Sequence, residues 1–159
     1  MILVSACLLG HHTKYNGQAN SHALLMQYNA LGNFVAVCPE CLGKLPIPHP
    51  PAEIVGGNGQ DVLLQKASVV NKINTDVTIN FISGAEKVLK IAEQYGIRTA
   101  ILKERSPSCG VEQIYDGTFC DAKITGQGVT TALLRKHGFR VYSDEEITKA
   151  LLEQLLKEA

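Results

Sequence analysis

The sequence predicts an α/β fold: a three-layer sandwich around a mostly parallel, Rossmann-like sheet, with a small hairpin insertion. Three observations predict it. Short β-type runs recur at Ile2-Leu3-Val4-Ser5-Ala6, Asn33-Phe34-Val35-Ala36-Val37, Thr99-Ala100-Ile101-Leu102 and Phe139-Arg140-Val141-Tyr142. Segments with helical apolar spacing separate most of them. Strands that alternate with helices pack as parallel neighbours with the helices on the two faces. At 159 residues the chain fits one domain, residues 1–159, without linker, repeat or low-complexity tract.

The elements follow in order. Met1 to Ala6 reads as a buried strand, and Cys7-Leu8-Leu9-Gly10 turns out of it. His11 to Asn20 is polar and carries the turn signal Asn16-Gly17. A short helix over Ala23 to Tyr28 precedes the second strand, which stops at Cys38-Pro39. Prolines at 46, 48, 50 and 51 make the stretch from Gly43 to Pro51 an extended, stiff loop. Gly56-Gly57-Asn58-Gly59 is a tight turn, and the alternation beyond it predicts a hairpin near Asp61 to Val70. From Thr75 the period changes: Val77, Phe81, Ala85, Val88, Leu89 and Ala92 share a helical face that Gly96 ends. The third strand, Thr99 to Leu102, runs into Lys103-Glu104-Arg105-Ser106-Pro107-Ser108-Cys109-Gly110. A helix over Thr130 to Lys136 leads to the fourth strand. Ser143 and Glu146 then read as a capping box for the last helix, with Ile147, Leu151, Leu152 and Leu155 on its apolar face.

Composition removes several classes of function. Fifteen basic and fifteen acidic residues give a formal net charge of zero, and no basic stripe marks a nucleic-acid surface. No apolar run approaches the roughly 20 residues of a membrane span. Val4-Ser5-Ala6-Cys7 superficially resembles a lipoprotein cleavage box, but no positive residue precedes it and the apolar run is short. A cytoplasmic protein is expected, with neither nucleic acid nor membrane as partner.

Five cysteines in a reducing compartment point to metal binding, reactive thiols or small buried hydrophobes, not to a disulfide framework. Their placement is informative. Cys7 ends the first strand, Cys38 ends the second and Cys109 lies a few residues past the third. Ligands of open α/β sheets bind outside the carboxyl ends of the strands, so these three sulfurs are expected to converge there. Three thiolates suit zinc or an iron–sulfur cluster. Zinc would need a fourth ligand from Cys41, His11 or His12, and Cys38-Pro39-Glu40-Cys41 also permits thiol redox chemistry. Glu40, two residues after Cys38, is placed either in the same crevice or as a first-turn carboxylate favoured by a helix dipole. Lys103, Ser106 and Ser108 precede Cys109 in a loop stiffened by Pro107. Cys120 is read as a bystander. Gly126-Gln127-Gly128 opens a helix whose N–H groups suit an anion, but it lacks the third glycine of a dinucleotide fingerprint and is read as a helix-entry loop.

These residues together resemble a bacterial family, formerly catalogued as a domain of unknown function, now associated with thiouracil desulfidase. The resemblance rests on Val4-Ser5-Ala6-Cys7-Leu8-Leu9-Gly10, Tyr15-Asn16-Gly17, Val37-Cys38-Pro39-Glu40, Leu45-Pro46-Ile47-Pro48 and Pro51-Ala52-Glu53-Ile54. It continues through Asp76-Val77-Thr78, Gly84-Ala85, Ser106-Pro107-Ser108-Cys109-Gly110 and Tyr115-Asp116-Gly117-Thr118-Phe119. It implies a 4Fe-4S cluster held by Cys7, Cys38 and Cys109, with one iron left open, and a cluster lost or replaced by zinc on purification in air. It also implies non-redox desulfuration of a thiolated heterocycle. Glu40 would act as general base, and Lys103, Ser106 or Ser108 would stabilise charge or deliver a proton. Asn16, Lys44 and His49 depart from the family's usual aspartate, glycine and arginine, which predicts an altered pocket wall.

Overall fold

The computed structural model describes residues 1–159 and contains four parallel strands flanked by helices on both faces. The strands are β1 (Ile2–Ser5), β2 (Phe34–Val37), β5 (Thr99–Leu102) and β8 (Arg140–Ser143), in the spatial order β2-β1-β5-β8. Between them lie α1 (Ala23–Asn29), α2 (Pro39–Leu42), β3 (Ala52–Val55), α3 (Gly59–Leu63), β4 (Ser68–Asn71) and α4 (Thr78–Gln94). After β5 come β6 (Gln113–Tyr115), β7 (Lys123–Thr125) and α5 (Val129–Lys136), and α6 (Lys149–Glu158) closes the chain.

Strand alternation sorts the core into two layers. Leu3, Ala100, Leu102 and Val141 face one side and pack with Val88, Ala92 and Leu134 of α4 and α5. Ile2, Val4 and Ile101 face the other and pack with Leu25, Leu152 and Leu155 of α1 and α6. A third cluster, with Phe81 and Ala85 at its centre, seats the antiparallel pairs β3–β4 and β6–β7 beside α4 and α5. No helix is long and apolar enough to cross a membrane.

The four main strands and the long helix lie within a few residues of their predicted limits. Two local expectations fail. The hairpin expected over Asp61 to Val70 is instead β3 paired with β4, with Ala52 opposite Asn71 and Val55 opposite Ser68. Residues Gly59–Leu63 are helical because Asn58 and Asp61 exchange side-chain and backbone hydrogen bonds at 3.2 and 2.9 Å. The Ser143–Glu146 box also forms, but it closes a single 3₁₀ turn, Asp144–Glu146. Thr148 caps the final helix by accepting from Leu151 N–H at 3.2 Å. The β6–β7 pair was not anticipated.

Candidate functional site

At the carboxyl end of the sheet a cavity of about 600 Å³ opens. Cys7, Cys38, Cys109, Glu40, Lys103, Ser106 and Ser108 all line it. Cys7 arrives on a 3₁₀ turn, Ala6–Leu9, directly after β1, and Gly10 at φ +87° ends that turn. Cys38 follows β2 as the N-cap of α2, with Pro39 in the first turn where its missing N–H costs nothing. Glu40 is the acidic residue of that turn.

Cys109 belongs to the loop after β5, which is held from three directions. Ser106 Oγ accepts from the backbone N–H groups of Ser108 and Cys109, both at 3.1 Å. The first N–H groups of α5 donate inward: Val129 to Pro107 O at 2.8 Å and Thr130 to Ser108 O at 2.9 Å. The stretch read as a helix-entry loop is one, with Gly128 as the N-cap of α5, and the helix's first N–H groups are engaged by the Cys109 loop. Gly128 permits the approach, since a Cβ there would lie 2.6 Å from the Ser108 carbonyl. The third support is Glu104, 5% exposed, whose Oε1 accepts from Val111, Glu112, Gln113 and Arg105 N–H at 2.7, 3.0, 3.1 and 3.3 Å. Burial pushes this carboxyl upward. The donors from Gln113, Glu112 and Val111, with the Ser143 hydroxyl, outweigh burial and hold it below the usual carboxylate range.

A hydrogen-bonded chain crosses the cavity floor. Ser106 Oγ lies 2.9 Å from Ser108 Oγ, and Ser108 donates to Glu40 Oε2 at 3.0 Å. Because Ser106 already accepts two backbone N–H groups, its own proton points to Ser108, which passes the direction on to Glu40. The other carboxylate oxygen of Glu40 meets His49 Nε2 at 3.3 Å. His49 Nδ1 lies 2.9 Å from the Pro50 carbonyl, which fixes the proton on that nitrogen. The Glu40 hydrogen bond raises the His49 pKa against an opposing contribution from burial. Lys103 Nζ lies 3.4 Å from Asp144 Oδ2, and its backbone N–H donates to Ser5 Oγ at 3.0 Å.

The three thiols are held in the uncharged form by burial, which raises Cys7 and Cys38 and pushes Cys109 up to about 12. Asn20 and Lys103 oppose this at Cys7, and the Ser5 and Ser108 side chains oppose it at Cys109. Burial therefore works against a reactive thiolate at Cys38. Cys41 is half-buried in α2 and does not line the cavity, and neither do His11 or His12. Cys120 is exposed at the rim.

Zinc ligands at about 2.3 Å from one metal stand within about 4.6 Å of each other. No group of three or more His, Cys, Asp or Glu side chains is gathered to suit one ion. Three soft sulfurs lining one cavity are a donor set that fits an iron–sulfur cluster. Asn16, Lys44 and His49 do not line the cavity, so the altered wall expected from them does not arise there. Lys44 occupies a left-handed turn at φ +67°, a conformation that favours glycine, and His49 acts on the site from behind Glu40. The supports missed from sequence are His49, Glu104, Asp144, Ser5 and the start of α5. Their partners are backbone groups or side chains distant along the chain.

A sequence profile described as 2-thiouracil desulfurase matches residues 2–146. The chain is 47% identical over 154 residues to YbbK, an uncharacterized protein of Bacillus subtilis (strain 168), covering 95% of this chain and 100% of that one. Its structure resembles that of a 4Fe-4S-dependent thiouracil desulfidase, TudS, with a TM-score of 0.83 and 43% identity over 97% of each chain.

Proposed function

Because the chain belongs to the 2-thiouracil desulfurase family, we propose that it hydrolyses the C–S bond of a thiolated pyrimidine or similar thiocarbonyl heterocycle. Water adds to the thiocarbonyl carbon, the oxo product forms and sulfur leaves as sulfide, with no net electron transfer. The observation that carries this reading is that Cys7, Cys38, Cys109 and Glu40 line one cavity. Cys7, Cys38 and Cys109 would hold a 4Fe-4S cluster.

When bound, the cluster would supply an open iron that takes the soft thiocarbonyl sulfur as a Lewis acid and makes the attached carbon electrophilic. The chain's own groups manage water and protons. Glu40 takes the proton of the attacking water. One of its oxygens is held by Ser108 and the other by His49, which fixes the carboxylate in place. The Ser106–Ser108 pair gives a proton path into Glu40 and back toward the ring nitrogen of the product. Lys103, steadied by Asp144, contributes positive charge beside the developing anion.

Anaerobic reconstitution should yield a brown protein with about four irons, the content of this cluster type, that releases sulfide from 2-thiouracil. Cys109→Ser should lose the colour and the iron. Glu40→Gln should keep both and lose roughly 10²–10⁴-fold in rate, the usual size of a general-base contribution. Full iron content in Cys109→Ser, or wild-type turnover in Glu40→Gln, would overturn these assignments.

A further inference from the structure

Phenylalanine is scarce in this chain, and three of its four copies, Phe34, Phe81 and Phe139, are buried in the core. The fourth, Phe119, is half-buried and lines the cavity shared by the three cysteines. Its backbone stands at φ +58°, a conformation that is costly for a bulky side chain. That conformation does not by itself help the protein fold.

The surrounding structure holds that conformation in place. Residues 116–122 form the turn between β6 and β7, closed by Asp116 N–H donating to Ala122 O at 2.9 Å. Glu53, on β3, reaches into this turn. Its Oε1 accepts from Gly117 N–H at 2.9 Å and from Phe119 N–H at 3.2 Å. Asp116 Oδ1 accepts from Thr118 N–H at 3.0 Å and from its hydroxyl at 2.6 Å. Gly117 lies so close to β3 that an added Cβ would sit 2.6 Å from the Ile54 carbonyl. The turn is a built and preorganised part of the wall, and Tyr15 and Tyr115 line the same cavity.

We propose that Phe119, strapped in place by Glu53, is the face on which a planar heterocyclic substrate stacks, and so a determinant of specificity for ring thiocarbonyls over open-chain ones. This rests on the desulfidase reading and deepens it. An electron-poor pyrimidine ring, polarised by its carbonyl and thiocarbonyl groups, stacks well on the negative face of a phenyl ring. A small acyclic thiocarbonyl presents no comparable plane and gains little from it. Placing the aromatic on a fixed turn means its backbone is positioned before the substrate arrives.

The test uses anaerobically reconstituted wild type, Phe119→Ala, Phe119→Leu and Phe119→Tyr. Iron content and visible absorption confirm equal cluster loading. Sulfide release is measured from 2-thiouracil and from thiourea, and 2-thiouracil binding is measured separately by equilibrium dialysis. Phe119→Ala should raise both KM and Kd for 2-thiouracil about tenfold, within the usual effect of removing a base-stacking aromatic, with kcat changed less than about twofold. Phe119→Leu should fall between, Phe119→Tyr should match wild type, and the thiourea KM should stay constant throughout. An unchanged Kd in the alanine and leucine variants, or an equal loss for both compounds, would overturn the proposal. So would wild type that fails to bind 2-thiouracil. Wild type that binds 2-thiouracil through Phe119 yet releases no sulfide would instead sink the desulfidase reading and leave the stacking face intact.

Discussion

Removing the Glu104 carboxylate should unravel the loop that carries Ser106, Ser108 and Cys109. One buried oxygen accepts four backbone N–H groups, and no other acceptor replaces it. A hydrogen bond to a charged group contributes about 1.5–3 kcal/mol, and four donors on one oxygen cannot each reach that. Counting the two shortest, at 2.7 and 3.0 Å, at full strength gives about 3–6 kcal/mol for Glu104→Ala. For a chain of this size that is roughly 6–24 °C in Tm. Glu104→Gln keeps an acceptor oxygen without the charge and should lose about half as much, because charge-assisted bonds are roughly twice as strong. The sign of the pH dependence follows from the lowered folded pKa. The carboxylate's contribution is complete above its unfolded value of about 4.3 and is lost as pH falls through the folded value. The gap between wild type and Glu104→Gln should therefore be constant at neutral pH and close in acid. Urea unfolding of the cluster-free proteins between pH 7 and pH 3, compared at unchanged m-value, measures both effects. A Glu104→Ala variant within about 1 kcal/mol of wild type, below even one charged hydrogen bond, would refute the reasoning. So would a wild-type-to-glutamine gap that ignores pH.

Two further perturbations probe the cysteine and carboxylate supports. In cluster-free protein, NMR titration should place His49 above the ordinary value of about 6.5, and Glu40→Gln should bring it down, since burial then dominates. The pair's stabilisation is complete below about 6.5 and lost as pH rises through the raised folded value, so a His49 pKa indifferent to Glu40→Gln would rule the pair out. Gly84→Ala would place a Cβ 2.0 Å from the Pro39 carbonyl and push α2, with Cys38 and Glu40, off α4. Overpacking of this kind costs about 1–3 kcal/mol, or roughly 2–12 °C in Tm, and reconstituted iron should fall with it. Wild-type melting and iron content in that variant would contradict the close packing.

The elements that could be read from the sequence are those whose signal is local. A strand such as Thr99–Leu102 is a continuous apolar run, and α4 repeats its apolar face over seventeen residues. The short pieces were misread where two local signals competed. Alternation after Gly59 suggested a strand, yet Asn58 and Asp61 carry a reciprocal cap that commits Gly59–Leu63 to a helix. Ser143 and Glu146 exchange the expected bonds, but Ile147 returns to an extended conformation, so the box stabilises one turn and Thr148 starts the helix. At the site, the cysteines were legible because each lies at or a few residues past a strand end. Glu104 was not, because what it binds is backbone N–H, which every residue carries and no motif displays. His49 was noticed only as a departure from a family pattern, and its meeting with Glu40 depends on the path of the loop from Gly43 to Pro51.

The placement of the site follows from topology. The chain steps from β1 outward to β2, then crosses back to lay β5 on the other side of β1, so the crevice at a topological switch point opens beside the end of β1. The segments bearing Cys38, Cys7 and Cys109 leave the ends of β2, β1 and β5, three adjacent strands. Because the third cysteine comes from a loop and not from the strand end itself, its reach depends on Glu104 and the start of α5. Reconstituted iron should accordingly fall in Glu104→Ala, which loosens the loop that carries Cys109.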